Sequence, residues 1–419
     1  MSHELTKQSQ LLLSFFMKNK CVPQVKHNKK TDSILKKLYH DIVKAHQYIQ
    51  ARKQKEGSHF YKIKSNRIHS VHQIPRPKTF PATSFPEKVR KHIDEHSNYE
   101  VSYTFSLFGR EVKIQFILEN LNPEIKMDLY NEYIDRMLTW LYIVNEYSAQ
   151  QCSKNITIFI YLTSLTKSLP TSNIEVLNEI HVNTAFTYTC PVDSEIVIFR
   201  KEEWFKVFIH ETMHNFALDF SDMNQEACNK IIRELFPIKS DINLFESYTE
   251  FWAEIMNAAF CSVYLQEETD VDSFLEHIHF FIHYERIYGI FQLVKGLHFM
   301  ELSYKDLYHK HPKSALLRET MYKEKTNIFS YYVVRVILLF HYQGFLEWCD
   351  TNNLSLIQFK KTTGNINSFC EFIKGNYKKK AFLNSIASME QYFKGGKEVS
   401  SKEEAFLYKN MRMSISELG

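Results

Sequence analysis

The sequence predicts an α+β fold in which a β-rich segment with a small mixed sheet precedes an almost wholly helical segment. Strand-like runs cluster between residues 99 and 200, and helical periodicity dominates after Asp222. Gly is absent between Arg110 and Tyr288, which excludes phosphate-binding loops of the G-x-G-x-x-G and P-loop kinds from that stretch. At 419 residues the chain suits two to three domains.

Periodicity orders the individual elements along the chain. A helix at 33–55 with one apolar face is followed by a Pro-rich linker, and residues 99–118 alternate around Phe108-Gly109 as a hairpin does. The elements predicted after this hairpin are a helix at 130–149, β-rich runs at 155–163, 181–189 and 194–200, and a helix that begins near Lys201.

Composition and charge are those of a globular protein with a basic front segment. Hydrophobic residues make up 44% of the chain, no apolar run reaches the length of a membrane span, and the apolar LLLSFFM stretch lacks a cleavage site, so we expect neither a span nor a signal peptide. Residues 1–91 hold 20 Lys and Arg against five Asp and Glu, whereas the remainder holds 32 against 43. This asymmetry has three interpretations. The segment is an arm that binds nucleic acid or an acidic surface, an extension that packs against the acidic body of the same chain, or a solvated helical extension.

The stretch FIHETMHNFALDF, residues 208–220, carries the strongest chemical signal. His210 and His214 are four residues apart on an apolar helical stretch, so both imidazoles share one face and can reach one zinc ion at about 2.0–2.1 Å. Glu211 lies about 100° around the helix from His210, where a carboxylate meets a water on the metal. The alternative is two structural histidines in a core.

A third ligand is expected from an acid, because catalytic zinc takes three protein ligands. The apolar stretch FESYTEFWAEI, residues 245–255, carries Glu246, Glu250 and Glu254 along one helical stripe, and acids avoid burial unless they are paired or bind metal. The alternative is a solvated acidic face. Asp219 and Asp222 are weaker candidates for the third ligand.

These segments resemble the gluzincin class of zinc metallopeptidases, whose E-G-x-A-E-Y segment is similar to ESYTEF here. Glu246 stands at the ligand position, 32 residues after His214, with Ser247 in place of the usual Gly. The resemblance implies a zincin-like catalytic domain with zinc held by His210, His214 and Glu246. It also implies that Glu250 orients a zinc histidine, although Glu250 could instead be the ligand. The related metzincin pattern is excluded, because it requires Gly at 217 and His at 220 where this chain has Ala and Phe.

The resemblance also implies a catalytic chemistry. Zinc would acidify a water, Glu211 would take its proton and pass it to the leaving amine, and a further donor would stabilise the oxyanion. Gluzincins often place a tyrosine or arginine for this task at the position of TNIFSYYVVRVILLFHY, although an aromatic stripe is also typical of a core. The candidates are Tyr331, Tyr332 and Arg335, followed by His283 and His311.

Over residues 100–345 the motifs together resemble the uncharacterised metallopeptidase-like proteins encoded by large nucleocytoplasmic DNA viruses. The segments that carry this likeness are VNTAFTYTC, SEIVIFRKEEWFKVFIHETMHNFALDFS, ESYTEFWAE and TNIFSYYVV. The predicted domains are a basic helical N-terminal extension at 1–73, a Pro-rich linker at 74–91, a zincin N-lobe with the HExxH helix at 92–222, a helical C-lobe with the third ligand at 223–345 and a helical C-terminal region at 346–419.

We therefore expect a zinc endopeptidase acting on a peptide or protein substrate. The alternatives are a virion or scaffold protein that keeps the zincin fold for binding, and a nucleic-acid-binding protein that uses residues 1–91. The seven cysteines are scattered and never form C-x-x-C, which predicts reduced thiols. The expected location is the host cytoplasm or virus factory, with packaging in the virion as an alternative.

Overall fold

The structure is a computed structural model that describes residues 4–18, 22–122, 126–266, 270–395 and 402–419. Its main regular elements in these ranges are one six-stranded mixed sheet and sixteen α-helices. The strands are β1 (Lys62–Arg67), β2 (Tyr99–Leu107), β3 (Arg110–Leu118), β4 (Asn155–Tyr161), β5 (Ala185–Thr187) and β6 (Asp193–Ile198). The helices are α1 (Lys7–Lys18), α2 (Lys29–Glu56), α3 (Glu87–His96), α4 (Met127–Tyr147), α5 (Glu179–Val182), α6 (Trp204–Asn215), α7 (Glu226–Leu235), α8 (Leu244–Tyr264), α9 (Val271–Phe299), α10 (Tyr304–Tyr308), α11 (Pro312–Met321), α12 (Arg335–Phe340), α13 (Tyr342–Asn352), α14 (Thr363–Asn376), α15 (Lys380–Lys394) and α16 (Lys402–Lys409).

The chain folds into two units. The sheet unit comprises residues 37–166 and 183–218, and the helical unit comprises residues 1–36, 167–182 and 219–419. The predicted α+β class is confirmed. Residues 1–36 of the basic front segment belong to the helical unit, whereas residues 37–91 belong to the sheet unit and supply the outer strand β1.

The sheet has the order β1-β2-β3-β4-β6-β5, so both of its edges are antiparallel and its centre is parallel. The predicted hairpin is confirmed, since β2 and β3 pair with Leu107 opposite Arg110. Its two turn residues, Phe108 and Gly109, both have positive φ, of 53° and 74°. Positive φ at both positions gives a turn whose twist matches that of the strands.

Acidic side chains neutralise part of the basic charge of the front segment. In the sheet unit, Lys44 pairs with Glu146 and Lys53 pairs with Asp135, both at 2.7 Å. These contacts support the interpretation that the segment packs on its own acidic residues. Strand β1 differs, because all six of its residues are exposed.

The prediction of reduced thiols is wrong for four of the cysteines. Cys152 and Cys190 form a disulfide in the sheet unit, and Cys228 and Cys370 form one in the helical unit. The partners are 38 and 142 residues apart, so cysteine spacing in the sequence did not reveal them. Cys21 lies outside the described residues. Cysteine usage therefore no longer supports a reducing compartment.

No helix among the described residues is long and apolar enough to cross a membrane.

Candidate metal centre

Helix α6, which belongs to the sheet unit, carries the HExxH motif. All twelve of its residues are buried, from Trp204 to Asn215, and none is Gly or Pro. Its apolar residues lie on several sides of the helix, which favours an enclosed helix. They are Trp204, Phe205, Val207, Phe208, Ile209 and Met213. The helix ends where Ala217 takes a positive φ of 55° and its amide donates to the carbonyl of His214.

The two histidines of α6 direct their ring nitrogens at each other. The Nε2 atoms of His210 and His214 are 3.0 Å apart. Both residues are buried, with 6% and 8% of their surface exposed. Two nitrogens that bind one tetrahedral zinc at about 2.0–2.1 Å are about 3.3 Å apart. The pair therefore fits zinc as its first two protein ligands with only a small adjustment of either ring.

Glu211 shares this buried setting. It is 7% exposed and follows His210 on the same helix. Carboxylates are rarely buried without a partner of opposite charge or a proton to exchange. Its position next to a ligand, about 100° around the helix, suits a base better than a third ligand.

Neighbours in the sheet unit fix the orientation of α6. Trp140 on α4 donates its indole N–H to the hydroxyl of Thr212 at 2.6 Å, and that hydroxyl donates back to the carbonyl of Phe208. Asn215, directly after the second histidine, donates to the Thr187 hydroxyl at 2.9 Å. These contacts hold the middle of the motif and the residue that follows it.

Sequence reasoning did not single out Trp140, Thr212 or Asn215. Their signal is weak, because a buried tryptophan and two small polar residues are common in any core. Asn215 follows the motif directly and also contacts the carbonyl of Tyr188, at 3.2 Å. A polar residue at the end of a buried helix requires hydrogen-bond partners, and this requirement is the one clue that the sequence offers.

Glu246 lies in the first turn of α8, in the helical unit, and both of its oxygens are engaged. Its Oε1 accepts from the Asn327 side chain at 3.0 Å, and its Oε2 accepts from the Tyr331 hydroxyl at 2.9 Å. Asn327 in turn accepts from Asn243, the residue that precedes α8. Such donors fix the direction of a carboxylate, as supporting residues do around metal ligands.

The other two acids of α8 are deeply buried, which excludes the solvated acidic face. Glu250 is 1% exposed and Glu254 is 0% exposed. Glu254 forms an ion pair with Arg335 at 2.8 Å. Burial favours a lower pKa for Arg335, but the carboxylates of Glu254 and Glu250 outweigh it and hold that pKa above its usual value. Arg335 is thus a charged core residue.

The weaker third-ligand candidates have other partners. Asp219 accepts from Ser221 and, at 3.0 Å, from the Thr249 hydroxyl. Asp222 forms an ion pair with Lys361 at 2.8 Å. Both carboxylates are accounted for by these contacts within the helical unit.

The predicted oxyanion donors have different environments. Tyr331 lies in a π-helical turn, Phe329–Val334, and donates to Glu246, whereas the Tyr332 hydroxyl donates to the Met411 carbonyl at 2.6 Å. The exposed His311 accepts from the Lys313 amide at the start of α11. Tyr331 therefore contacts a predicted ligand, Glu246.

No family model, curated protein or solved structure matches this chain. Support for a function therefore comes from the side chains described above and from the resemblance of the motifs.

Proposed function

We propose that this protein is a zinc-dependent endopeptidase in which His210, His214 and Glu246 hold the metal. The observation that carries the proposal is the pair of buried histidines whose Nε2 atoms are 3.0 Å apart on one helix. With Glu246, the third ligand that the gluzincin resemblance implies, they offer two imidazole nitrogens and a carboxylate oxygen, which is a ligand set that zinc hydrolases use. A zinc ion bound there would act as a Lewis acid and lower the pKa of a water.

The chain's own residues have separate tasks in this proposal. Glu211 accepts a proton from the attacking water and returns it to the leaving amine, because it is next to a ligand but does not bind the metal. Asn327 and Tyr331 direct the carboxylate of Glu246 through the hydrogen bonds at 3.0 and 2.9 Å. Thr212, held by Trp140, keeps the motif helix in register.

Two of the finer predictions remain proposals. Glu250 is assigned to orienting a zinc histidine, on the basis of the gluzincin resemblance and its near-complete burial. Tyr331 is assigned first to positioning Glu246, since its hydroxyl already donates to that carboxylate. A location in the host cytoplasm or virus factory is supported by the viral resemblance alone.

The test is Glu211→Gln in the full-length chain. We expect the variant to keep zinc content and thermal stability but to lose nearly all cleavage of a broad peptide library, because the water loses its base. Glu234→Gln, which changes an exposed glutamate on α7 in the same way, is the matched control and should cleave like wild type.

Two outcomes would decide against the proposal. Equal cleavage by wild type and Glu211→Gln would assign the chemistry to another residue or to a contaminant. Zinc binding without cleavage by any of the three proteins would favour the scaffold alternative. Deleting residues 1–91 is unsuitable for unmasking the site, because residues 37–91 form part of the sheet unit.

A further inference from the structure

A second group of metal-ligand side chains lies entirely within the helical unit. The ligand atoms of His27, Asp32 and His279 all lie within 4.8 Å of one another. His279 is buried on α9 and its Nε2 is 2.8 Å from a carboxylate oxygen of Asp32, in the first turn of α2. The ring of His27 stacks on that of His279, with centroids 3.7 Å apart.

His27 and His279 border a cavity of about 370 Å³ that has further ligand groups on its wall. Glu276 and His283 line it together with His279, and on α9 they lie three residues before and four residues after that histidine. This spacing puts all three on one helical face. The buried Nδ1 of His283 has no hydrogen-bond partner in the described part of the chain.

The charge around this cavity favours a cation. Glu276 on the cavity wall and Asp32, which contacts His279, supply two carboxylates against the guanidinium of Arg286. The Nε and Nη1 of Arg286 donate to the carbonyls of Phe340 and Pro23. His279 and His283 each present an imidazole to the cavity. A neutral imidazole keeps a lone pair for a metal.

We propose that His27, Asp32 and His279 bind one divalent transition-metal ion of the zinc type, with Glu276 or His283 as a fourth ligand. Two nitrogens and one carboxylate oxygen suit zinc, cobalt or nickel better than magnesium or calcium, which prefer oxygen alone. Adjacent ligands of a tetrahedral ion are about 3.3 Å apart, so the present contact between His279 and Asp32 opens by about half an ångström. His27 precedes α2 on an irregular, exposed segment and can turn its ring toward the ion.

This site shares no residue with the proposed zinc centre, and all of its residues belong to the helical unit. Its metal would tie the segment before α2 to α9 within the helical unit. A hydrogen-bonded pair without metal is the competing explanation for His279 and Asp32.

The experiment measures metal stoichiometry of the full-length chain by equilibrium dialysis with Zn²⁺ and by the visible absorption of Co²⁺. We expect two equivalents for wild type and one for His27→Gln, with at least tenfold weaker binding of the second ion in Asp32→Asn. His27 is exposed, so its substitution leaves folding intact. His277→Gln changes a histidine of the same helix outside the cavity and should retain both ions.

The His210→Gln/His214→Gln variant separates this inference from the proposed function. One equivalent that persists in this variant and disappears when His27→Gln is added supports the second site. A wild-type chain that binds one ion and loses it in His210→Gln/His214→Gln would overturn the inference and leave the proposed function standing. Two ions in both His27→Gln and wild type would also overturn it.

Discussion

Helices α6 and α8 both carry candidate zinc ligands, yet these ligands are positioned differently. On α6 the two histidines face each other because they are one turn apart, so the helix alone brings Nε2 to within 3.0 Å of Nε2. On α8 the direction of Glu246 depends on Asn327 and Tyr331, which come from about 80 residues further along the chain. Ligands that are close in the sequence can be recognised from their spacing, whereas the orientation of a single carboxylate depends on partners far away in the chain.

The largest expected effect comes from the histidine pair of α6. His210→Gln and His214→Gln should each abolish zinc binding at the proposed centre, because a single histidine and one carboxylate leave too few ligands. Zinc content after dialysis against a weak chelator measures this loss, with the exposed His40→Gln as control. If both variants kept all of the wild-type zinc, the geometry on α6 would not define the site.

The ion pair of α8 should show the next largest effect, on stability. Glu254→Gln leaves the fully buried Arg335 without its partner at 2.8 Å, so we expect the free energy of unfolding to fall by about 3–5 kcal/mol. Glu254→Leu/Arg335→Met removes both charges and should recover most of that loss. Urea unfolding checks both values, and a double variant as unstable as the single one would contradict the role of the unpaired charge.

Glu324, which accepts from the Phe329 amide at 2.9 Å where the π-helical turn begins, should make stability depend on pH. Burial raises the pKa of this carboxyl from 4.5 to about 7. The folded state therefore favours the protonated form of Glu324. Its contribution to the free energy of unfolding is present in full below pH 4.5 and is lost as the pH rises toward 7. The loss is about 3 kcal/mol.

Unfolding of Glu324→Gln between pH 4.5 and 8 tests this dependence. The variant should lack the loss seen in wild type, whereas Glu371→Gln, at an exposed position on α14, should retain it. Parallel pH profiles for wild type and Glu324→Gln would show that another group titrates.

The support of Glu246 should affect zinc affinity without changing stoichiometry. Asn327→Ala removes the donor at 3.0 Å, and we expect zinc affinity to fall by about 10–100-fold, as for other residues that orient metal ligands. Competition with a chromogenic chelator measures this. Asn224→Ala, at an exposed position of the helical unit, serves as control. An unchanged affinity would mean that α8 positions Glu246 by itself, as α6 does its histidines.

The smallest effect is expected at the end of α6. Ala217 has a φ of 55°, a conformation that costs a residue with a Cβ about 1–2 kcal/mol, whereas Gly adopts it freely. The extra conformational entropy that Gly has in the unfolded state offsets part of this gain. Ala217→Gly should therefore stabilise the protein by about 0.5–1 kcal/mol. Ala51→Gly, inside α2 and exposed, should destabilise it by a similar amount. Destabilisation by both would show that the Ala217 side chain contributes packing.

The sequence determined by itself the features that depend on neighbours in the chain. These are the α+β class, the hairpin of β2 and β3, the buried helix α6 and the spacing of His210 and His214, because hydrophobic periodicity and turn residues act over a few positions.

Only the tertiary structure decided which distant groups pair. The disulfides join cysteines 38 and 142 residues apart, Glu254 has Arg335 as its partner, and His27 and Asp32 meet His279. The physical reason is that partners far apart in the chain are selected by how helices and strands pack and by the need to satisfy buried charge, and neither leaves a periodic signal in the sequence.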